Sequence, residues 1–346
     1  MLINISVLFN SKYVKQHKYL LSLLCLFVLG IILRLHGLAR QSIWYDEAFT
    51  IAYSGKFSWS WKFLSTEITS DPPLLPFLVY YWHHLGRALG FIPGTFLFDF
   101  LLRLLPFFFS TVSILLTYHL GKLILNDRKT SLLATLLCVI SPFQLFYAQE
   151  LKPYSLYLML VLIAAIYHLQ ALKSNRKCHW IIFAIFESLS MYAHFIAVWN
   201  IVLFNAHAVW VQIRDHRINW RWFCSQIFMS ILCLPVVFMA ININAVYTKI
   251  TNIYNLHPTI KHAAITFKTF FAGYSSSTGV YHLLFIIAAG VFIYSCWHLR
   301  KSTNALVVLL CYGCFPIFGN VIFWQTRTFP IYEHRLFIVC SIYCYI

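Results

Sequence analysis

Apolar residues fall in long runs along this chain, at about 19–35, 101–125, 130–147, 154–172, 179–195, 196–213, 223–243, 282–299, 304–324 and 336–346. Most approach the roughly 20 residues that a helix rising 1.5 Å per residue needs to cross about 30 Å of hydrocarbon. The pattern predicts an all-α fold, a polytopic membrane helix bundle of about ten spans. One segment differs. From Leu74 to Phe91, apolar residues recur at Leu74, Leu78, Tyr81, Trp82, Leu85 and Leu89, with His83, His84 and Arg87 on the other side. That 3.6-residue period predicts an amphipathic helix lying in the membrane interface. After Arg335 only 11 residues remain, about half of a span, so the last helix is expected to be cut short and a C-terminal part to be missing.

Composition points the same way. Hydrophobic residues make up 60% of the chain and charged residues 10%, with a mean hydropathy of +0.73. Ordinary globular domains are about 45–50% apolar and about 25% charged, so a bilayer must solvate most of this one. A net charge of +16 on a soluble protein would suggest nucleic acid. Here the basic residues sit between apolar runs instead, and no nucleic-acid partner is expected. The clusters Arg128/Lys129, Lys173/Arg176/Lys177, Arg214/Arg217/Arg221 and Arg300/Lys301 occupy alternate gaps, as the positive-inside rule requires of cytoplasmic loops. Lys12, Lys15 and Lys18 precede the first run, and no small-residue cleavage site follows it. That run reads as an anchor with a cytoplasmic N-terminus.

With 74–91 in the interface, the outer loops are 37–100, 148–153, 244–281 and 325–335. They hold Asp46, Glu47, Glu67, Asp71, Asp99, Glu150 and Glu333, seven of the ten acidic residues. Of the others, Asp127 and Asp215 face the cytoplasm and Glu187 lies in a span. Eight of the ten cysteines sit in apolar runs, where thiols behave as small hydrophobes. Cys311-x-x-Cys314 lacks the second ligand pair of a zinc site. No internal repeat, linker or Gly-rich phosphate loop divides the chain, which reads as one transmembrane domain over 1–346.

The chemistry concentrates in the first outer loop, Arg40-Gln41-Ser42-Ile43-Trp44-Tyr45-Asp46-Glu47-Ala48. Adjacent carboxylates beyond a span are costly unless solvated or paired. A plain reading makes them the first turn of a helix capped by Ser42. They have company on the same face, however. Asp71-Pro72-Pro73-Leu74 opens the interfacial helix, and Arg103-Leu104-Leu105-Pro106 enters the second run. Ser141-Pro142-Phe143 precedes Tyr147-Ala148-Gln149-Glu150-Leu151-Lys152-Pro153-Tyr154, and Tyr332-Glu333-His334-Arg335 leads into the last run.

In order and content these motifs resemble GT-C glycosyltransferases of the protein-mannosyltransferase and aminoarabinose-transferase type, in particular the bacterial Dol-P-mannose-mannosyltransferase-like branch. The resemblance runs from Arg34 onward. It departs at Lys152, where Arg is usual, and at Ala148, where Ser is common. It implies a sugar donor linked to a polyprenyl phosphate, and a hydroxyl acceptor on a glycan, lipid or protein, at the outer face of a bacterial inner membrane. Asp46 then matches the catalytic base, and Glu47 orients the loop or binds sugar hydroxyls. Arg335, with Lys152 second, receives the departing phosphate, since a guanidinium suits bidentate contact with phosphate. Arg327 and His334 are further candidates for that role.

Glu150, Asp71, Tyr154 and His194 are substrate-binding candidates. For Glu150 the simpler alternative is an ion pair with Lys152, and for His194 it is hydrogen-bonded packing. Arg103 either snorkels to the interface or neutralises Asp71. Trp59, Trp61, Tyr80, Tyr81 and Trp82 fit an interfacial aromatic belt. No cofactor is required, and no clear ligand set supports a divalent cation. The rival readings are a transporter or lipid flippase, which expects charges within spans and repeated halves, and an inactive member of the same fold.

The outward placement of the first loop is directly testable. A single cysteine introduced near Ser70 should react with an impermeant thiol reagent on intact cells. Labelling that appears only after the membrane is opened would overturn the topology.

Overall fold

The computed structural model describes residues 11–58, 60, 72–250, 258–274, 278–300, 302–325 and 332–346. Among these, every regular element is a helix. The first four are α1 (Ser11–Leu35), α2 (Tyr45–Gly55), α3 (Leu74–Ala88) and α4 (Phe96–Leu125). Then come α5 (Arg128–Ile140), α6 (Pro142–Ala148), α7 (Tyr154–Ser174), α8 (Lys177–Ala193) and α9 (Val198–Arg214). The last five are α10 (Trp220–Ile250), α11 (Ile260–Ala272), α12 (Thr278–Leu299), α13 (Thr303–Gln325) and α14 (Ile338–Tyr345).

Among the described residues, seven helices are long and apolar enough to cross a membrane, or eight if α5 and α6 together make one bent span. The ten apolar runs of the sequence are accounted for physically. The 130–147 run is that bent pair, α8 has 17 residues, and the final run gives a helix of 8. Helix α7 is the hub. It packs against α4 and α8 and buries residues on every side, from Leu156 through Val161 and Ala165 to Ala171. Helix α12 is its opposite, with Leu283, Ile286, Ile293 and Trp297 all exposed, as suits a lipid-facing surface.

Basic residues from three of the clusters share one end of the bundle. There Arg128 lies over the Tyr19 ring at 5.8 Å, Arg214 Nη1 donates to Asn304 Oδ1 at 3.0 Å, and Arg221 donates to the Asn175 carbonyl. Two helices approaching this end stop on asparagines in the left-handed region, Asn126 (φ 53) and Asn175 (φ 48). Such a residue turns the chain sharply after its helix.

The bend between α5 and α6 is 59°, and its cause is legible in the chain. Pro142 has no N–H to offer the Cys138 carbonyl one turn back, so the helix breaks. Ser141 restarts it, with its Oγ accepting from Gln144 N at 3.2 Å and Pro142 at the first helical position. The carbonyls left over are taken by Arg34 from α1. Arg34 Nη2 donates to Cys138 O at 3.2 Å and Nη1 to Val139 O at 3.5 Å, while Nε donates to Ser110 Oγ at 2.8 Å. Arg34 is completely buried. Gly273, after α11, closes on the same break. Its φ is +65°, and a Cβ there would stand 2.7 Å from that of Pro142.

Three local expectations change. Helix α2 begins at Tyr45 after Trp44, so Ser42 is not its cap. The stretch 244–281 carries helix α11, whose Phe270 is buried, in place of a plain loop. Helix α3 is amphipathic, but the stripe it turns to the protein is Leu75, Val79 and Gly86, while Tyr81, Leu85 and Leu89 stay exposed. Trp82 anchors it, with Nε1 donating to the Leu101 carbonyl at 2.7 Å.

Arg34→Met removes the donors at the α5–α6 break and leaves buried acceptors unpaired. It should destabilise the protein by about 1–3 kcal/mol, read as a lower melting temperature in detergent. An unchanged melting temperature would show that Arg34 does not hold the break.

Candidate active site

Opposite the basic end, residues from four distant segments converge. The buried anchor is Glu47. Arg103 Nε donates to its Oε1 at 3.0 Å and Nη2 to its Oε2 at 2.6 Å, a fork-to-fork pair with both side chains buried. The remaining guanidinium protons go to the carbonyls of Leu38 (3.3 Å), Gln41 (2.6 Å) and Ser42 (3.2 Å). Glu47 also accepts from Leu151 N at 2.8 Å and from Trp44 N at 3.4 Å. With its oxygens so committed, Glu47 orients the loop and leaves no room for a sugar hydroxyl. The Arg103 partner is therefore Glu47. Asp71, the other partner considered and a substrate-binding candidate, lies outside the described residues, as do Arg327, Trp59 and Trp61.

Asp46, the next residue along α2, points out of that anchor. Arg335 Nη1 lies 3.2 Å from Asp46 Oδ2, and Arg335 Nε pairs with Glu333. Its guanidinium carbon sits 5.5 Å from the centre of the Tyr154 ring, within cation–π range. Burial works against the Arg335 charge, but Tyr154, Glu333 and Glu150 outweigh it and raise its pKa. Asp46 and Arg335 remain about one-quarter exposed, so both are reachable from water.

Glu150 lies beneath them in the turn between α6 and α7. It is buried, and among the described residues nothing donates a hydrogen bond to either carboxylate oxygen. Burial pushes its pKa up to about 8. The positive charges of Arg335 and Lys152 oppose that rise, while Glu47 and Asp46 add to it. Lys152 is also buried, and its backbone N donates to the Glu150 carbonyl at 2.7 Å. Burial thus favours the protonated carboxyl of Glu150, which can donate as well as accept a hydrogen bond.

Tyr154 joins an aromatic wall. Its ring centre is 4.9 Å from that of Tyr147 and 5.9 Å from that of His194, and Tyr147 shares a 2.7 Å hydroxyl contact with Tyr274. His194 has a structural task here, since its Nδ1 accepts from Ile196 N at 3.2 Å and caps the turn before α9. The neighbouring His334 meets Thr266 Oγ1 at 2.8 Å, and burial lowers its pKa.

Asp46, Glu47, Glu150, Lys152, Tyr154 and Arg335 are therefore gathered at one end, with His194 at their margin. Sequence reasoning gave no role to Glu333, Tyr147, Tyr274 or Gln149. Glu333 could have been found from its place two residues before Arg335. Gln149 ties this turn to α1 by donating to the carbonyls of Arg34 (3.0 Å) and His36 (2.9 Å), a contact no local pattern announces.

An apolar cavity of about 450 Å³ opens along α5, α12, α13 and α14, walled by residues such as Leu137, Leu284, Val291 and Leu309. It reaches Ser141 and Pro142 at the α5–α6 break, and Phe270 of α11. Among the described residues no group of three or more His, Cys, Asp or Glu side chains is placed to hold a metal ion.

An acid with a raised folded-state pKa stabilises the fold only while protonated. The Glu150 contribution is full below about 4.5 and is lost as pH rises towards about 8. Thermal unfolding should show wild type losing stability across that window relative to Glu150→Gln. Parallel profiles for the two proteins would rule out the buried neutral carboxyl. In comparisons with known proteins, no protein-family model matches the chain and no curated protein matches it either.

Proposed function

We propose that this chain is a multi-pass membrane glycosyltransferase of the GT-C type. It moves a sugar from a polyprenyl-phosphate donor to a hydroxyl of a glycan, lipid or protein acceptor. The active site faces outward from a bacterial inner membrane. One observation carries the reading: a carboxylate and a guanidinium from residues 289 positions apart stand 3.2 Å from each other at the rim of the bundle, above a buried carboxyl.

Each group has a task in such a transfer. The acceptor oxygen attacks the anomeric carbon while the bond from that carbon to the phosphate oxygen breaks. The acceptor proton passes to Asp46, within the scope of general-base catalysis. The electron pair of the broken bond leaves on the phosphate, where Arg335 stabilises the growing charge. Lys152 adds positive charge as a point donor rather than a fork. Glu150, whose burial favours the protonated carboxyl, offers a hydrogen bond to a sugar hydroxyl without adding negative charge beside the phosphate. Tyr154 and Tyr147 supply an apolar face for the sugar ring.

Two further features support this reading. The 450 Å³ cavity is apolar and extends along membrane-spanning helices as far as the start of α6, the helix that leads to the Glu150 turn, which suits the lipid part of such a donor. Basic residues from three of the clusters lie at the other end of the bundle, so the positive-inside rule turns the site outward.

In purified membranes supplied with radiolabelled polyprenyl-phosphate sugars, Asp46→Asn should lower transfer about 10²–10⁴-fold while the protein stays folded. Unchanged transfer in that variant removes Asp46 from the mechanism. Absence of transfer by the wild type across donors removes the glycosyltransferase assignment.

A further inference from the structure

Arg335 is already engaged by side chains of the protein itself. Its guanidinium is held by two carboxylates, Asp46 through Nη1 at 3.2 Å and Glu333 through Nε. The group assigned to bind phosphate and the group assigned to take a proton therefore neutralise each other. While they do so, neither is ready. A carboxylate paired with a guanidinium is a poorer base, and a guanidinium paired with two carboxylates has fewer donors left for an anion.

We infer that this ion pair is an autoinhibitory contact opened by the donor. The inference rests on the function proposed above. The anionic headgroup of a lipid phosphate takes Arg335 from Asp46 and Glu333, and that exchange frees the Asp46 carboxylate to face the acceptor. The donor thus binds first, and the base becomes competent only when the leaving group is already clamped. No bond to carbon changes in this step. One ion pair is replaced by another, and Tyr154 keeps the Arg335 side chain at the site throughout. Glu333 becomes a positioning residue. About half of its side chain is exposed, so it can swing into water when Arg335 turns.

Such a contact must lower the protein's affinity for the headgroup. The test measures binding of a polyprenyl phosphate to the full chain in lipid nanodiscs, with the matching uncharged polyprenol as control. Asp46→Asn and Glu333→Gln should each bind the lipid phosphate about fivefold tighter than wild type. Asp99→Asn, at a carboxylate beside Arg103 rather than Arg335, should bind as wild type does. With Arg335→Gln as background, Asp46→Asn should bring no gain. Tighter binding by the Asp99 variant as well would reduce the effect to general surface charge and overturn the inference. So would equal affinity of wild type, Asp46→Asn and Glu333→Gln. Failure of wild type to prefer the phosphate over the polyprenol is a separate result, which overturns the proposed function itself.

Discussion

The arrangement depends on the buried pair between Glu47 and Arg103. Taking two charges out of water is expensive, and their attraction compensates only when the geometry is good and the remaining protons find acceptors. Here both conditions are met. Two parallel bonds join the carboxylate to the guanidinium, three backbone carbonyls take up the rest of Arg103, and two backbone N–H groups reach Glu47. Losing one partner of such a pair typically costs about 3–5 kcal/mol. The pair therefore fixes three separate pieces of chain at once: the turn at 38–42, the start of α2, and the turn after α6. Asp46 and Glu150 are carried by two of those pieces. Their approach to each other follows from a contact that neither of them makes.

A second constraint works one layer deeper. Pro142 breaks the helix, and the break leaves acceptors inside an apolar bundle, where an unpaired polar group costs free energy. Arg34 meets that need from α1, and Gln149 ties the following turn to the end of the same helix. The bend turns α6 away from the line of α5, towards α14, where Gln144 Nε2 donates to Ser341 Oγ at 2.8 Å. The broken helix is thus the device that brings the Glu150 turn beside the segment carrying Arg335.

The sequence made much of this readable, for identifiable reasons. Apolar runs announce membrane helices because nothing else satisfies their backbone in lipid. Asp46, Glu150 and Arg335 stood out because charged residues are scarce, so each one at a span boundary is conspicuous. The faces and partners were less legible. Arg103 was recognised as structural, but its partner was not, because a contact spanning 56 positions leaves no local trace. Helix α3 was readable as amphipathic, yet its packed stripe runs through Gly86, a residue whose missing side chain carries no hydropathy signal. There a Cβ would stand 2.3 Å from Leu101. The role of Arg34 was hidden because what it satisfies is backbone, and backbone acceptors have no letter in a sequence.

On the proposed function, one end of this bundle grips the phosphate of a lipid-borne sugar between Arg335 and the turn carrying Glu150. A structure of the full chain in lipid nanodiscs with bound polyprenyl phosphate tests it most directly. Phosphate density is expected within hydrogen-bonding distance of the Arg335 guanidinium, with an isoprenoid chain descending along α5 and α12. Density at the basic end of the bundle, beside Arg128 or Arg214, would contradict it.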